Sequence, residues 1–163
     1  MKTLFILRHA KSSWDHPGLS DFERPLNDRG VRTAPFMGEL IKNKGLSPDV
    51  IISSPAVRAQ TTAELVRESA GIASEIRLDD RIYEASPQNL IHVISEIDDT
   101  LNSAMLVGHN PGLEALIRHL TGQLEPMPTA ALAVMALNID TWAEIKPASG
   151  TLAALYRPKD EMG

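Results

Sequence analysis

Short apolar runs alternate along the chain with longer stretches whose apolar residues recur at helical spacing. Residues 4–7, 49–53 and 104–107 form compact apolar runs that predict buried strands. An amphipathic stretch follows each run, directly or after a polar loop. This alternation is typical of an α/β fold, in which helices connect the strands of a mainly parallel sheet.

Capping residues and glycines set the bounds of the predicted helices. Ser, Asp and a following Pro favour helix starts, and Gly favours helix ends. Two helices are predicted with a start and a stop, Asp28 with Gly45, and Ser54 and Pro55 with Gly71. Ser86 and Pro87 start a third helix whose apolar positions reach Ile97, and a fourth runs through Leu113 and stops at Gly122. Pro35 predicts a kink or a late start in the first helix, because proline is tolerated only in a first turn.

The last third of the chain has a different pattern. Residues 131–139 and 151–156 are apolar runs separated by a turn-rich segment, which predicts an antiparallel pair, and residues 76–78 predict one more short strand. We therefore expect a single α/β domain over residues 1–163. Its architecture is a three-layer sandwich, with a mainly parallel sheet, an antiparallel margin and helices on both faces.

Composition narrows the classes of protein that this chain represents. The 163 residues are 43% hydrophobic and 23% charged, which fits a globular domain, and they include no cysteine. This excludes disulfides, a thiolate nucleophile, iron–sulfur clusters and Cys-ligated zinc. The apolar run before Arg8 is too short for a signal peptide, so we expect a cytoplasmic protein without a membrane partner.

The charge is unevenly distributed. The formal net charge of −5 argues against nucleic acid or an anionic membrane as a partner. Residues 1–34 nevertheless carry six Lys or Arg against four Asp or Glu. A small anionic group is therefore acceptable near the first strand, and the polar stretch at residues 10–27 is the predicted site loop.

The candidate functional residues lie at three predicted junctions between a strand and the following helix. Arg8 and His9 follow the first strand, Arg58 follows the second, and His109 follows the strand at residues 104–107. Because the carboxyl ends of parallel strands share one edge of a sheet, these side chains are expected to meet there. Guanidinium groups match phosphate oxygens in geometry and in charge, so the set predicts a phosphate site.

Each of these residues also has an interpretation without a role in catalysis or binding. A lone histidine at a strand end is more often structural, and an arginine in a first helical turn is more often solvated. The pairing of His9 with Arg8 and His109 favours a nucleophile, because neutral imidazole attacks phosphorus and carries a covalent phosphoryl group. Glu84, judged by its spacing alone, is a surface carboxylate.

No cofactor or metal is expected. The remaining histidines lack the spacing of a metal site, and no glycine-rich segment ends in the Lys-Ser or Lys-Thr of a P-loop.

Three motifs in order resemble those of the histidine phosphatase superfamily, in its phosphoglycerate mutase-like branch. The segment Leu-Arg-His-Ala-Lys-Ser-Ser-Trp at residues 7–14 resembles the first histidine signature, residues 53–62 resemble the second arginine motif, and residues 107–110 resemble the second histidine motif. Residues 21–30, together with the short chain, look most like SixA-type phosphohistidine phosphatases.

The resemblance implies a role for each matched position. It implies that His9 is the phosphorylated nucleophile and that Arg8, Arg58 and His109 hold the phosphoryl oxygens. Glu84 matches the proton donor of many members, Ser12 matches a phosphate contact, and Arg24 of the site loop is a further phosphate-binding candidate.

The expected function is a metal-independent phosphatase that works through a phosphohistidine enzyme intermediate and acts on phosphohistidine or phosphoprotein substrates. A small-molecule phosphomonoesterase would use the same residues and remains an alternative. A mutase is disfavoured because the chain leaves little room for a covering insertion. An alternative of another class is a phosphate-binding module without turnover. The oligomeric state is left open.

Overall fold

A six-stranded mixed sheet forms the centre of the protein, for which a computed structural model describes residues 1–162. The strands are β1 (Lys2–Arg8), β2 (Ile51–Ser53), β3 (Ile76–Leu78), β4 (Ser103–Gly108), β5 (Leu132–Leu137) and β6 (Gly150–Tyr156). Their order across the sheet is β3-β2-β4-β1-β5-β6. Strands distant in sequence are therefore neighbours, as crossover connections require.

The parallel part of the sheet brings three strand ends into register. β4 pairs in parallel with β1 on one side and with β2 on the other. Arg8 at the end of β1 lies opposite Gly108 at the end of β4, and Ser53 at the end of β2 lies opposite Val107. The residues that follow these three strands consequently emerge side by side at one edge.

The opposite margin is antiparallel, as the sequence predicts. β5 pairs antiparallel with both β1 and β6, with an irregularity between Val134 and Met135. β5 and β6 therefore form the margin of the sheet on the side of β1 away from β4.

Within residues 1–162, five α-helices accompany the sheet: α1 (Asp28–Asn43), α2 (Val57–Ala70), α3 (Pro87–Ser95), α4 (Gly112–Thr121) and the short α5 (Pro158–Met162). Side chains alternate across β1, so that Leu4 and Ile6 pack in the core formed with α3 and α4, while Phe5 and Leu7 pack in the core formed with α1 and α2. The two separate cores confirm the three-layer α/β sandwich with helices on both faces.

Two helix starts differ from the prediction. Asn27, rather than Asp28, caps α1, because its side-chain oxygen accepts a hydrogen bond from the Gly30 amide at 2.9 Å. The helix α2 begins at Val57 after the cap residue Ala56, rather than at Ser54. The Ser54 hydroxyl instead lies 2.8 Å from Nε2 of His109, at the edge of the sheet where the parallel strands end.

Pro35 lies inside α1, which runs unbroken through it from Asp28. The prediction of a late start for this helix is therefore wrong. The helix gains enough from burying Ala34, Met37 and Ile41 against α2 to tolerate the missing amide. Within residues 1–162, no helix is both long and apolar enough to cross a membrane.

Candidate active site

His9 directly follows β1 and is nearly enclosed, with 6% of its surface exposed. Its Nδ1 lies 2.7 Å from the carbonyl oxygen of Ala10. Because a carbonyl oxygen only accepts hydrogen bonds, Nδ1 must carry the ring hydrogen and donate it. The lone pair of the neutral ring is therefore on Nε2, which is the nitrogen available as a nucleophile.

His109 directly follows β4 and lies beside His9. The two ring centroids are 5.1 Å apart, with the ring planes inclined by 51°. Nε2 of His109 lies 2.8 Å from the hydroxyl oxygen of the fully buried Ser54. Nδ1 of His109 is buried and has no hydrogen-bond partner among the described residues. One nitrogen of this ring is thus anchored and the other is left for a ligand.

Burial keeps both rings neutral. Desolvation is the main cause that lowers the pKa of His9 from 6.5 to about 3. The hydrogen bond to Ala10 opposes this shift, and the nearby His109, Arg58 and Arg8 add to it. Desolvation also lowers the pKa of His109 to about 4, assisted by the charge of Arg58. At neutral pH the Nε2 lone pair of His9 is therefore present, as an attack on phosphorus requires.

The buried rings predict how stability depends on pH. Unfolded histidine titrates near pH 6.5 and these folded rings near 3 and 4, so the unfolded chain binds more protons in between. The free energy of unfolding should therefore fall as the pH drops from about 6.5 towards 4, by roughly 1 to 2 kcal/mol per ring between pH 7 and 5. Urea titrations at several pH values measure this slope.

His9→Gln is the matched variant for that measurement. It should lose about half of the pH dependence between pH 7 and 5, because one of the two buried rings is gone. A slope equal to that of the unchanged protein would show that His9 does not stay neutral in the fold.

Two arginines border the histidine pair. Arg58 is the second residue of α2 and only 7% exposed, so its charge is held inside the site rather than in solvent. Arg8 ends β1 and donates from Nη1 to the Met127 carbonyl oxygen at 3.1 Å, while its Nε is buried without a hydrogen-bond partner in the described part of the chain. A buried guanidinium nitrogen without a partner is costly unless a ligand oxygen accepts from it.

The site loop contributes Arg24 and Ser12. Arg24 is buried, donates from Nε to the Ser13 carbonyl oxygen at 3.1 Å and from Nη2 to the Ser12 hydroxyl, and stacks 3.3 Å from the ring centre of Trp14. An isolated bridge between Ser12 and Leu26 closes the loop on itself. The guanidinium of Arg24 is thereby fixed against the same edge of the sheet.

Close backbone contact holds the loop against the start of α1. A Cβ atom on Gly30 would lie 2.2 Å from the Lys11 carbonyl oxygen, so only glycine fits there. Thr62 of α2 adds a second link, since its hydroxyl accepts from the Ala10 amide at 3.0 Å and donates to the Arg58 carbonyl oxygen at 2.7 Å. The first histidine segment and the second arginine segment are in this way tied together.

Asp21 lies among these cations and is not one of the site residues predicted from the sequence. Arg58 donates to its backbone oxygen at 2.6 Å and to Oδ2 at 3.0 Å, and Arg24 donates to Oδ1 at 3.0 Å. The Tyr83 hydroxyl donates to Oδ2 at 2.6 Å. The bond from Tyr83 and those from the two arginines hold the pKa of Asp21 at about 2, so its carboxylate is charged.

Six of the seven site residues predicted from the sequence line one cavity of about 320 Å³. They are Arg8, His9, Ser12, Arg24, Arg58 and His109. Glu84 is the exception. It lines an adjoining cavity of about 420 Å³ and is exposed, with a left-handed φ of 52°. Asp21, Arg58 and His109 border both cavities, so Glu84 lies next to the cationic site but outside it.

Three polar residues near the site were missed or misread. Ser54 is read from sequence as a helix cap, whereas it contacts His109. Asn110 and Glu114 also act together, because the Asn110 amide donates to Glu114 at 2.8 Å and Glu114 accepts from the Met127 amide at 2.8 Å. These bonds hold Met127, in the segment before β5, whose carbonyl oxygen accepts the hydrogen bond from Arg8. The Asn-Pro sequence after His109 was the one available signal.

The arrangement suits a phosphoryl group. A neutral imidazole with a lone pair on Nε2 lies in one cavity with three guanidinium groups and a second imidazole, which offer donors to the equatorial oxygens of a transferring phosphoryl group. No cluster of His, Cys, Asp or Glu within residues 1–162 has the geometry to hold a metal ion. Positive charge in this cavity comes from the three arginines and from Lys11, which also lines it.

Comparison with known proteins agrees with the motifs. A family model for the histidine phosphatase superfamily (branch 1) matches residues 4–90. An uncharacterised protein of Mycobacterium tuberculosis is 29% identical over 164 residues, which cover 94% of this chain and 100% of that relative.

Two solved structures have the same fold. One, assigned as phosphohistidine phosphatase SixA from Agrobacterium tumefaciens, has a TM-score of 0.83 and 29% identity over 96% of this chain and 98% of its own. Another, assigned as SixA from Nakamurella multipartitia, has a TM-score of 0.86 and 22% identity over 96% of each chain. Since the family model covers more than half of the 163 residues, this chain belongs to branch 1 of the histidine phosphatase superfamily.

Proposed function

We propose that this protein is a metal-independent phosphatase that transfers a phosphoryl group to Nε2 of His9 and then to water, with histidine-phosphorylated proteins as substrates. The observation that carries the proposal is the neutral His9, whose Nδ1 hydrogen is held by the Ala10 carbonyl oxygen and whose ring shares a cavity with Arg8 and Arg58. Membership of the superfamily and the likeness to a SixA structure support a phosphatase.

The reaction has two displacements. Nε2 of His9 forms a bond to phosphorus while the bond from phosphorus to the leaving group breaks, and the leaving group departs with the bonding electrons and takes up a proton. Water then attacks the phosphorus of phosphorylated His9, and the bond from phosphorus to Nε2 breaks with its electron pair returning to the ring. The proton lost by the water passes to solvent, which leaves inorganic phosphate and the neutral ring. Arg8, Arg58 and His109 stabilise the charge on the equatorial oxygens in both steps.

The surroundings of the cavity favour a protein substrate. Trp14 lines the cavity mouth with 75% of its surface exposed, and Phe22 and Val57 are exposed neighbours joined by a backbone hydrogen bond. Exposed aromatic groups beside a polar site are typical of surfaces that contact other proteins. The site loop lines the His9 cavity through Ser12, Trp14 and Arg24, and Thr129 borders it from the segment before β5. We infer that this cavity accepts a phosphorylated side chain on a partner surface.

The position of Glu84, the candidate proton donor, also favours a phosphoramidate substrate. Its phosphorus–nitrogen bond is labile and breaks without strong help from a proton donor, unlike an alkyl phosphate ester. Glu84 lies outside the His9 cavity, so the site is better matched to phosphohistidine than to sugar phosphates.

The experiment is a comparison of kcat/KM for a histidine-phosphorylated protein domain with values for sugar phosphates and phosphoglycerates, all in excess EDTA. We expect the phosphoprotein to be preferred by about a hundredfold or more and the activity to survive the chelator, because arginines supply the positive charge. His9→Ala serves as the control for contaminating phosphatases.

Two outcomes would contradict separate parts of the proposal. A hundredfold preference for a small metabolite would identify a small-molecule phosphomonoesterase, which uses the same His9 chemistry. Loss of activity in EDTA that Mg²⁺ or Zn²⁺ restores would refute the metal-independent mechanism.

Glu84 is proposed as the proton donor for ester substrates, since it lines the cavity that a leaving group would enter beside His109. Its left-handed backbone, unusual for a residue with a Cβ, is a form of strain that concentrates at functional sites. Glu84→Gln should slow alkyl phosphates by about tenfold or more and nitrophenyl phosphate far less, because a good leaving group needs no proton.

The control is Glu64→Gln, an exposed carboxylate on α2 that lines neither cavity. Equal losses on both ester types in the Glu84 variant would remove Glu84 from the role of acid.

A further inference from the structure

The carboxylate of Asp21 lies where the cations of the site converge. Both terminal nitrogens of Arg58 donate to Asp21, one to its backbone oxygen and one to Oδ2. Arg24 donates to Oδ1. These two guanidinium groups line the same cavity as His9. The Asp21 carboxylate therefore occupies one terminal nitrogen on each of two guanidinium groups that border the phosphate site.

We propose that Asp21 is an internal competitor for the phosphate site, which lowers the affinity for free inorganic phosphate and so sets selectivity for phosphoryl groups attached to a protein. This inference rests on the proposed phosphatase function. When the Asp21 carboxylate moves aside, Nη2 of Arg58 is released to donate to a phosphate, whereas the bond from Nη1 to the Asp21 backbone oxygen does not involve the carboxylate. A carboxylate left beside a bound phosphoryl dianion would instead repel it, at a cost that favours release.

The local structure allows Asp21 to move aside. Its side chain is 47% exposed, whereas the side chain of Arg58 is 8% exposed, so the carboxylate can turn into solvent while the guanidinium stays in place. The segment between β1 and α1 that carries Asp21 has no helix or extended strand of its own. Displacement of the carboxylate thus breaks a few side-chain hydrogen bonds and leaves the core of the protein unchanged.

The competition affects free and protein-bound phosphoryl groups differently. Inorganic phosphate must displace the Asp21 carboxylate through the hydrogen bonds of its own oxygens alone. A phosphorylated protein gains further contact at two exposed side chains: Trp14, which lines the His9 cavity, and Phe22, which packs edge-on against Tyr83 of the adjoining cavity. That contact offsets the cost of displacing the carboxylate. Product release is favoured for the same reason, since the phosphate left after hydrolysis has lost the protein to which it was attached.

The test is calorimetric titration of inorganic phosphate into the full chain and its variants. Asp21→Asn removes the competing charge at nearly constant shape, and its Kd for phosphate should be about tenfold lower or more than that of the unchanged protein. Asp15→Asn is the matched control, because Asp15 is an exposed aspartate of the same loop and makes none of these contacts. Its Kd should change by less than about twofold.

Tyr83→Phe provides a second variant with the Asp21 carboxylate intact. It removes the hydroxyl that holds Oδ2 at 2.6 Å, so phosphate binding should again tighten, by a smaller factor. Phosphate binding that is unchanged or weaker in both variants would overturn the proposal and show that Asp21 positions the guanidinium groups. Because the titration needs no turnover, it stays informative even if the chain hydrolyses no phosphohistidine, the result that would refute the proposed function.

Discussion

Replacing His9 with alanine is expected to lower kcat for a histidine-phosphorylated protein by about a thousandfold or more, because the covalent acceptor of the phosphoryl group is lost. The fold should survive, since His9 lies at the end of β1 and its ring contributes one hydrogen bond to the neighbouring Ala10 carbonyl. Steady-state kinetics and thermal unfolding of the variant measure the two effects separately.

His16→Ala is the matched control for this substitution. His16 belongs to the same site loop but is exposed and does not line the His9 cavity. It should retain activity within about twofold. Turnover that persists in the His9 variant with a normal melting temperature would assign the nucleophile to another group or to water.

Arg58→Ala and His109→Ala should each lower kcat/KM by about a hundredfold or more. Each removes a preorganised donor to the charge that develops on the transferring phosphoryl group. Both side chains line the His9 cavity, where Arg58 is buried and His109 is half-buried, and reduced contact with water strengthens their interaction with that charge. The affinity for vanadate, a competitor that resembles the transition state, should fall in parallel.

Arg32→Ala, an exposed arginine on α1, controls for the general loss of positive charge. It should leave kcat/KM and vanadate affinity nearly unchanged. Normal kinetics in either site variant would remove that residue from the phosphate site.

The α/β fold could be predicted because the hydrophobic pattern along the chain matches the strands and helices of the structure. The runs at residues 4–7 and 104–107 each lie within an observed strand, and Gly71 and Gly122 both adopt the left-handed conformation that ends a helix. Once the strands are parallel neighbours, the meeting of their carboxyl ends follows from geometry alone. That is why Arg8, His9, Arg58 and His109 could be grouped from the sequence.

Contacts between distant polar side chains could not be predicted in the same way. The Asp21 carboxylate meets Tyr83, 62 positions away, through a bond that no local pattern encodes. The role of Ser54 was misread because serine before proline is a common helix start, whereas burial here places its hydroxyl against His109. Glu84 was assigned by matched position, and neither its place in the adjoining cavity nor its left-handed backbone is encoded in a local pattern.

The central claim is that the phosphoryl group passes through Nε2 of His9. The most direct measurement is a rapid quench of the full chain with a protein substrate carrying radiolabelled phosphohistidine, followed by peptide mapping. We predict label on the peptide that contains His9, labile to acid and stable to alkali, which appears before free phosphate and is absent in His9→Ala. Full turnover without any labelled His9 at the earliest times would contradict the account.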